Sequence, residues 1–389
     1  MRANRFLMIG RRAVGEVGCG HACGDRSGRR QRGMTLVEVM VAMVIGLLVT
    51  MVAGTVFIAS RQSFRVQDNF AQMQEGGRAV LEDVSVEIRK AGSYGCYRWK
   101  DVIPPVAITA NLPTSGAGLF PIPMKTLTAA AFDQTYDVRG GPVAGLGPFP
   151  VGWGITVAAG TDYVQVMYGQ PLANLADDAL AGDPTGTAPI TLNHGIAATS
   201  GQPFLIADCE SMTLLRVDST ASGAAGTPLL HQPTANNVNW PSIRHPMGST
   251  LMGFQAIAFF VGTDATGTRN LYRWDRSNSA FPQPLVANVD DMRVVFGVDG
   301  GVGELTTVTQ WLDGVSVTAW ERVITVAVHV VLRSNDSGLV GTGLAADQVS
   351  FTWDATKKIF VQGTSASDFA MRRPYVINSV IRSRAPMLS

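Results

Sequence analysis

Residues 32–60 read RGMTLVEVMVAMVIGLLVTMVAGTVFIAS, and from Val39 to Ser60 no residue carries a charge. At about 1.5 Å of rise per residue, a helix of this length spans a hydrocarbon core of roughly 30 Å. One carboxylate, Glu38, lies near its start, and Gly33 stands just ahead of it behind a run of arginines. A lone acid inside such a segment is expensive, which makes Glu38 a candidate functional residue.

Working outward towards the amino terminus, residues 1–33 hold eight arginines against Glu16 and Asp25. They show no hydrophobic periodicity and are expected to form an unstructured basic leader. A basic flank before an apolar run keeps that end on the cytoplasmic side of a membrane. Because the whole chain is only +1, residues 34–389 are net negative. That balance argues against a nucleic-acid partner, which needs a broad basic surface.

Working outward in the other direction, residues 34 to about 91 read as one long helix. The first half, 34–60, is apolar all round, as suits lipid or a packed bundle. From Arg61 to Gly92 it turns amphipathic. Phe57, Phe64, Val80, Leu81, Val84 and Ile88 recur at helical spacings, while Arg61, Arg65, Asp68, Glu75, Arg78, Glu82, Asp83, Glu87 and Arg89 supply a polar face. Gly76-Gly77 interrupts the pattern at a cost of about 2 kcal/mol in helix propensity, so a kink or hinge is expected there. Gly92, after Arg89 and Lys90, is the expected stop.

Residues 93–389 read as a β-rich head. It opens with a Pro/Gly-rich stretch, 104–150, holding eight prolines and expected to be loop. Candidate strands follow at 162–168, 203–207, 212–217, 255–261, 270–274, 292–298, 322–333, 350–353, 358–362 and 375–382, separated by turn-forming clusters. In 322–333, Ile324, Val326, Val328, Val330 and Leu332 make one fully apolar face, which predicts a central strand packed on a core. Asp290-Asp291 reads as a turn before the 292–298 strand. The expected fold class is α+β: a long N-terminal helix, its first half membrane-spanning, plus a large antiparallel β-rich head.

Four cysteines occur. If the leader carrying Cys19 and Cys23 is removed, Cys96 and Cys209 remain. They are either a disulfide, suited to an oxidising compartment, or two buried thiols. Catalytic and cofactor signatures are missing: there is no Gly-x-Ser-x-Gly elbow, phosphate-binding loop or His-Glu-x-x-His. The five histidines show no metal-ligand spacing, and His329 reads as a packed strand residue. Cys19-Gly-His-Ala-Cys23 offers too few ligands for a structural metal site, and the acidic loop 299–304 lacks the alternation of a calcium loop. No enzyme activity, metal or cofactor is therefore expected.

The pattern Gly33, Met34, Thr35-Leu36-Val37, Glu38 and the uncharged run resembles the prepilin signal of type IV pilins and pseudopilins. Met34 stands where that family most often has phenylalanine. The resemblance implies cleavage after Gly33 by a prepilin peptidase and methylation of the new amino terminus at Met34. It also implies pairing of Glu38, then the fifth residue, with the amino group of a neighbouring subunit to set register. Ala91-Gly92-Ser93-Tyr94-Gly95-Cys96, Ile206-Ala207-Asp208-Cys209, Val289 to Gly297, Ala327 to Ser334 and a closing strand from Arg372 to Arg384 resemble the PilW family of type IV pilus assembly proteins. That resemblance implies a minor pilin that primes pilus assembly with other minor pilins and the major pilin. It would sit first in the inner membrane with its head in the periplasm, then in the fibre or at its tip. It also favours pairing of Cys96 with Cys209.

Two other readings compete. A minor pseudopilin of a type II secretion system shares the same N-terminal physics. A membrane-anchored periplasmic enzyme or binding protein would have no need of Glu38.

Overall fold

The computed structural model describes residues 33–96, 109–110, 137–146, 153–172, 203–209, 212–216, 245–277, 281–301, 305, 307–335, 349–365, 368 and 370–384. The chain divides into two units, Met1–Ile58 and Ala59–Ser389. One helix, α1 (Leu36–Lys90, 55 residues), contributes to both. Among the described residues the remaining elements are strands and short 3-10 turns, which makes the fold α+β with a single long helix.

The described strands form three sheets. The largest has nine strands: β1 (Thr109–Ala110), β2 (Val138–Pro142), β3 (Thr156–Val157), β4 (Asp162–Pro171), β5 (Pro203–Ala207), β6 (Met212–Arg216), β7 (Thr250–Thr263), β8 (Arg269–Asp275) and β9 (Gln283–Ala287). Its spine is β7, which pairs with β4 along one edge and with β5 and then β8 along the other. Only the short β1–β6 pair is parallel among the described pairings. The second sheet has the order β11 (Gln310–Asp313), β10 (Val289–Val298), β12 (Val323–Arg333), β15 (Arg372–Val380). A two-stranded hairpin, β13 (Val349–Asp354) and β14 (Ile359–Ser365), completes the set.

Periodicity explains why β12 is central. Val326, Val328, Val330 and Leu332 face a core shared with Val80, Leu81, Val84 and Ile88 of α1. They meet Val164 and Val166 of β4, Ile257 and Phe259 of β7, and Val294 and Phe296 of β10 there. Each fully buried aliphatic side chain of this kind contributes about 1.5–3 kcal/mol relative to exposure. The opposite face of β12 turns His329 towards the hairpin, 5.2 Å between ring centroids from Trp353 and 6.4 Å from Phe360. The expected packed histidine is therefore a half-aromatic contact between sheet and hairpin.

Helix α1 runs through Gly76 and Gly77 without leaving the helical state, so the expected hinge is replaced by a packing role. A Cβ on Gly77 would lie 2.9 Å from ring atoms of Tyr375 on β15, and one on Gly76 would lie 3.1 Å from Val286 Cγ2 on β9. Successive helical positions point about 100° apart, so the two glycines let strands of two different sheets close on one turn. Further along, Ser85 Oγ meets Ser379 Oγ at 2.9 Å, so α1 and β15 run side by side in the same direction.

The polar face also differs from expectation at Glu87, which is buried. It accepts from Tyr168 Oη at 2.6 Å and pairs with Arg273 and Lys90, each at 3.3 Å. Asp290-Asp291 is not a turn; both residues lie within β10. Asp290 pairs with Arg372 and Asp291 with Arg293. Within the stretch read as loop, Val138–Pro142 is an edge strand followed by a 3-10 turn at Val143–Leu146. β9 and β11 escaped the strand reading because Pro284 interrupts one and the other is four residues long.

Candidate functional site

Gly33, Met34 and Thr35 precede the helix in extended or irregular backbone, and Leu36 opens it. Thr35 is the N-cap. Its Oγ1 accepts from the Glu38 N–H at 3.3 Å, while Glu38 Oε2 accepts from the Thr35 N–H at 3.0 Å and from its hydroxyl at 3.2 Å. This is a capping box, two otherwise orphaned donors satisfied reciprocally. The negative end of Glu38 also sits where the helix dipole favours an anion. The sequence signal for the box, Thr-x-x-Glu ahead of an apolar run, lies in plain view at 35–38, yet periodicity reasoning passed over it.

The environment of this segment is open. Nothing lies within 4 Å of the place a Cβ would occupy on Gly33. Met34 is 79% exposed, and the most apolar 18-residue window of α1 has a mean hydropathy of 2.5 with none of it buried. By length and composition this helix can cross a membrane. Its hydroxyls are already satisfied: Thr50 Oγ1 donates to the carbonyls of Gly46 and Leu47 at 3.0 and 2.9 Å, and Thr55 to that of Val52 at 2.8 Å. Such back-bonding removes the cost of a hydroxyl in hydrocarbon. Ala42, Gly46, Thr50 and Gly54 follow one another at intervals of four, a row of small residues along one helix face.

In the second unit the helix end is tied down by three devices. Gly92 adopts φ +70°, and a Cβ there would sit 2.5 Å from Asp137 Oδ2, so both conformation and space require glycine. Its N–H donates to the Met167 carbonyl of β4 at 2.8 Å. Next to it Asp137, fully buried, accepts from Tyr94 Oη at 2.8 Å and from Arg384 Nη2 at 3.2 Å. Burial, and then the Asp137 carboxylate, hold the Tyr94 phenol in its neutral form. Beyond Tyr94, Cys96 is disulfide-bonded to Cys209, with Cα atoms 4.9 Å apart across 113 residues of sequence. The pairing left open by cysteine counting is thus made.

The tertiary structure also brings Asp208, beside Cys209, against the buried His245. Asp208 Oδ2 lies 3.1 Å from Nδ1, and Thr213 Oγ1 lies 2.7 Å from Nε2. Burial pushes the His245 pKa down while Asp208 pulls it up. His245 lies 37 residues from Asp208 and 32 from Thr213, so no local motif could reveal the group. Thr213 and His245 are both fully buried, so the arrangement braces the disulfide-bearing hairpin rather than presenting a nucleophile. Asp299 spends its carboxylate on Arg322 and on the Gly301 N–H. Among the described residues no group of three or more His, Cys, Asp or Glu could hold a metal ion. Cys19, His21 and Cys23 lie outside the described residues.

Comparison with known proteins places both ends of this arrangement. The family model described as Type IV Pilus-assembly protein W matches residues 258–383, which run from within β7 to the 3-10 turn after β15. The Prokaryotic N-terminal methylation motif matches residues 28–54, around Gly33, Met34 and Glu38. No curated protein and no solved structure matches the chain.

Proposed function

We propose that this chain is a type IV pilus-related minor pilin of the PilW type, a reading its two matches support, that it is cut between Gly33 and Met34, and that it then helps to prime and assemble the fibre. The observation that carries this reading is the capping box of Thr35 and Glu38 at the head of an exposed apolar helix, directly after Gly33. Gly33 is unencumbered and lies outside the helix, so a peptidase can take it in extended form. Cleavage there leaves the apolar helix attached and removes the basic leader, residues 1–33.

Glu38 then has two tasks. Oε2 caps its own helix, and Oε1 remains for a cation. The amino group of Met34 on a neighbouring subunit supplies one, and in a low-dielectric surround that pair is strong when both partners are present. Residues 34–60 would serve first as membrane anchor and later as the polymerising helix; residues 61–92 would bind the head, 93–389, to it. The disulfide suits a head in the oxidising periplasm. Partners would be the prepilin peptidase, other minor pilins and the major pilin, and the final location the fibre or its tip.

Co-expression with a prepilin peptidase tests the reading. Mass spectrometry should find a product beginning at Met34, and Gly33→Val should block it. An uncut wild-type product would sink the proposal. The same 33–58 segment would equally serve a minor pseudopilin. Deletion separates the two: loss of surface fibres supports the pilus, while loss of exoprotein secretion with normal fibres supports the pseudopilus.

A further inference from the structure

Among the described residues, six charged side chains are buried: Glu87, Asp137, Arg276, Asp299, Arg372 and Arg384. Five of them meet an opposite charge. Arg276 does not. It is 2% exposed and follows β8 directly. Its Nη1 donates to Gln165 Oε1 at 2.9 Å and to the Leu146 carbonyl at 3.3 Å, but Nη2 is buried and makes no hydrogen bond. Asp275, the preceding residue, turns its carboxylate to Ser277, and residues 147–152 and 278–280 contain no Asp or Glu. A buried cation with an idle donor is costly, and such charges are ordinarily paired.

The surroundings of Arg276 are aromatic. Its guanidinium lies 4.5 Å from the centroid of Trp274. Trp274 meets Trp153 edge-on at 5.0 Å, and Trp153 meets Phe281 at 5.6 Å. Phe281 is 67% exposed. The array therefore runs as a staircase of rings from solvent to a buried positive charge. Burial pushes the Arg276 pKa down to about 9, so the site holds its charge at neutral pH at a cost that an incoming anion would relieve.

We propose that Arg276, Trp274, Trp153 and Phe281 form a binding site for a small carboxylate carried on a ring. The carboxylate takes the idle Nη2 of Arg276 in a charge-assisted hydrogen bond. The ring of the ligand packs on Trp153 and Phe281, which move aside to admit it. Phe281 projects into solvent. A sugar acid and an aromatic acid share this chemistry, a flat or ring-shaped body with one carboxylate.

Isothermal titration of the full chain in neutral detergent micelles tests the site, with glucuronate, benzoate, acetate and glucose as probes. Saturable binding of glucuronate, benzoate or both, at least about 10-fold tighter than acetate and glucose, supports the proposal, and which acid binds identifies the source. Phe281→Ser, at a 67% exposed position outside the core, should weaken binding by about 10-fold. Arg276→Lys should weaken it too, because the planar fork is lost. No saturable heat with either acid, equal binding of acetate or glucose, or wild-type affinity in Phe281→Ser overturns it.

Discussion

Gly77 of α1 lies against the ring of Tyr375 on β15 so closely that a Cβ would stand 2.9 Å from two ring carbons. The Tyr375 hydroxyl is buried without a hydrogen-bond partner among the described residues, so packing holds the ring there. A pair of glycines that local propensity marks as a weak point is the place where helix and sheet come nearest.

The first prediction concerns that contact. Gly77→Ala gains about 1 kcal/mol of helix propensity but overpacks a ring, which costs about 1–3 kcal/mol. The net result should be destabilisation of about 1 kcal/mol by urea titration. Gly76→Ala meets only the tip of Val286 at 3.1 Å and should be neutral or stabilising. The reverse order would contradict the packing account. Tyr375→Phe should cost nothing, because it removes an unpaired hydroxyl.

Among the described residues Asp137 and Arg384 form the most deeply buried ion pair, with side chains 0% and 3% exposed. Arg384 also donates to the carbonyls of Trp320 and Val323, at 2.5 and 3.1 Å, which locks the last described turn to the start of β12. Asp137→Ala strands that cation and should cost about 3–5 kcal/mol. Tyr94→Phe removes one hydrogen bond to the same carboxylate and should cost only about 1 kcal/mol. Thermal melts of the two variants should differ accordingly; equal shifts would mean that the ion pair is not what matters.

His329 supplies a pH signature. Burial lowers its pKa to about 4 from an ordinary 6.5. The unfolded chain therefore binds a proton that the folded chain refuses between about pH 6.5 and pH 4. Its share of stability is complete above the upper value and is lost as pH falls towards the lower one. The loss should be about 2 kcal/mol, given that the ring is 9% exposed. His329→Phe, which keeps an aromatic ring against Trp353, should flatten the stability curve in that window. An unchanged slope would show that the proton goes elsewhere.

At the amino-terminal segment, Glu38→Gln keeps a side chain able to complete the capping box but removes the charge. Peptidase cleavage should proceed as in wild type while incorporation into sheared fibres falls sharply. Gly54→Leu should give the same split for another reason, because it fills the row of small residues at Ala42, Gly46, Thr50 and Gly54 and keeps neighbouring helices apart. Immunoblots of membrane and fibre fractions distinguish cleavage from incorporation. Full incorporation of both variants would favour the reading of a simple membrane anchor.

What the sequence by itself determined are features written in local periodicity. The apolar run and the 3.6-residue pattern defined α1 to within two residues at its start and one at its end. Strand-like runs bounded by turn-forming clusters placed ten of the strands, and period-two alternation gave the central position of β12. These were legible because each depends on neighbours a few positions away. The tertiary structure alone decided the rest. It turned Glu87 from a solvent-facing charge into the buried partner of Tyr168 and Arg273. It turned Gly76-Gly77 from a hinge into a contact, brought Asp208 to His245, and left Arg276 without a counter-charge among the described residues. Each of these depends on what a distant strand places opposite a residue. The cost of burying a charge or a Cβ is set by that opposing surface, and no local pattern encodes it.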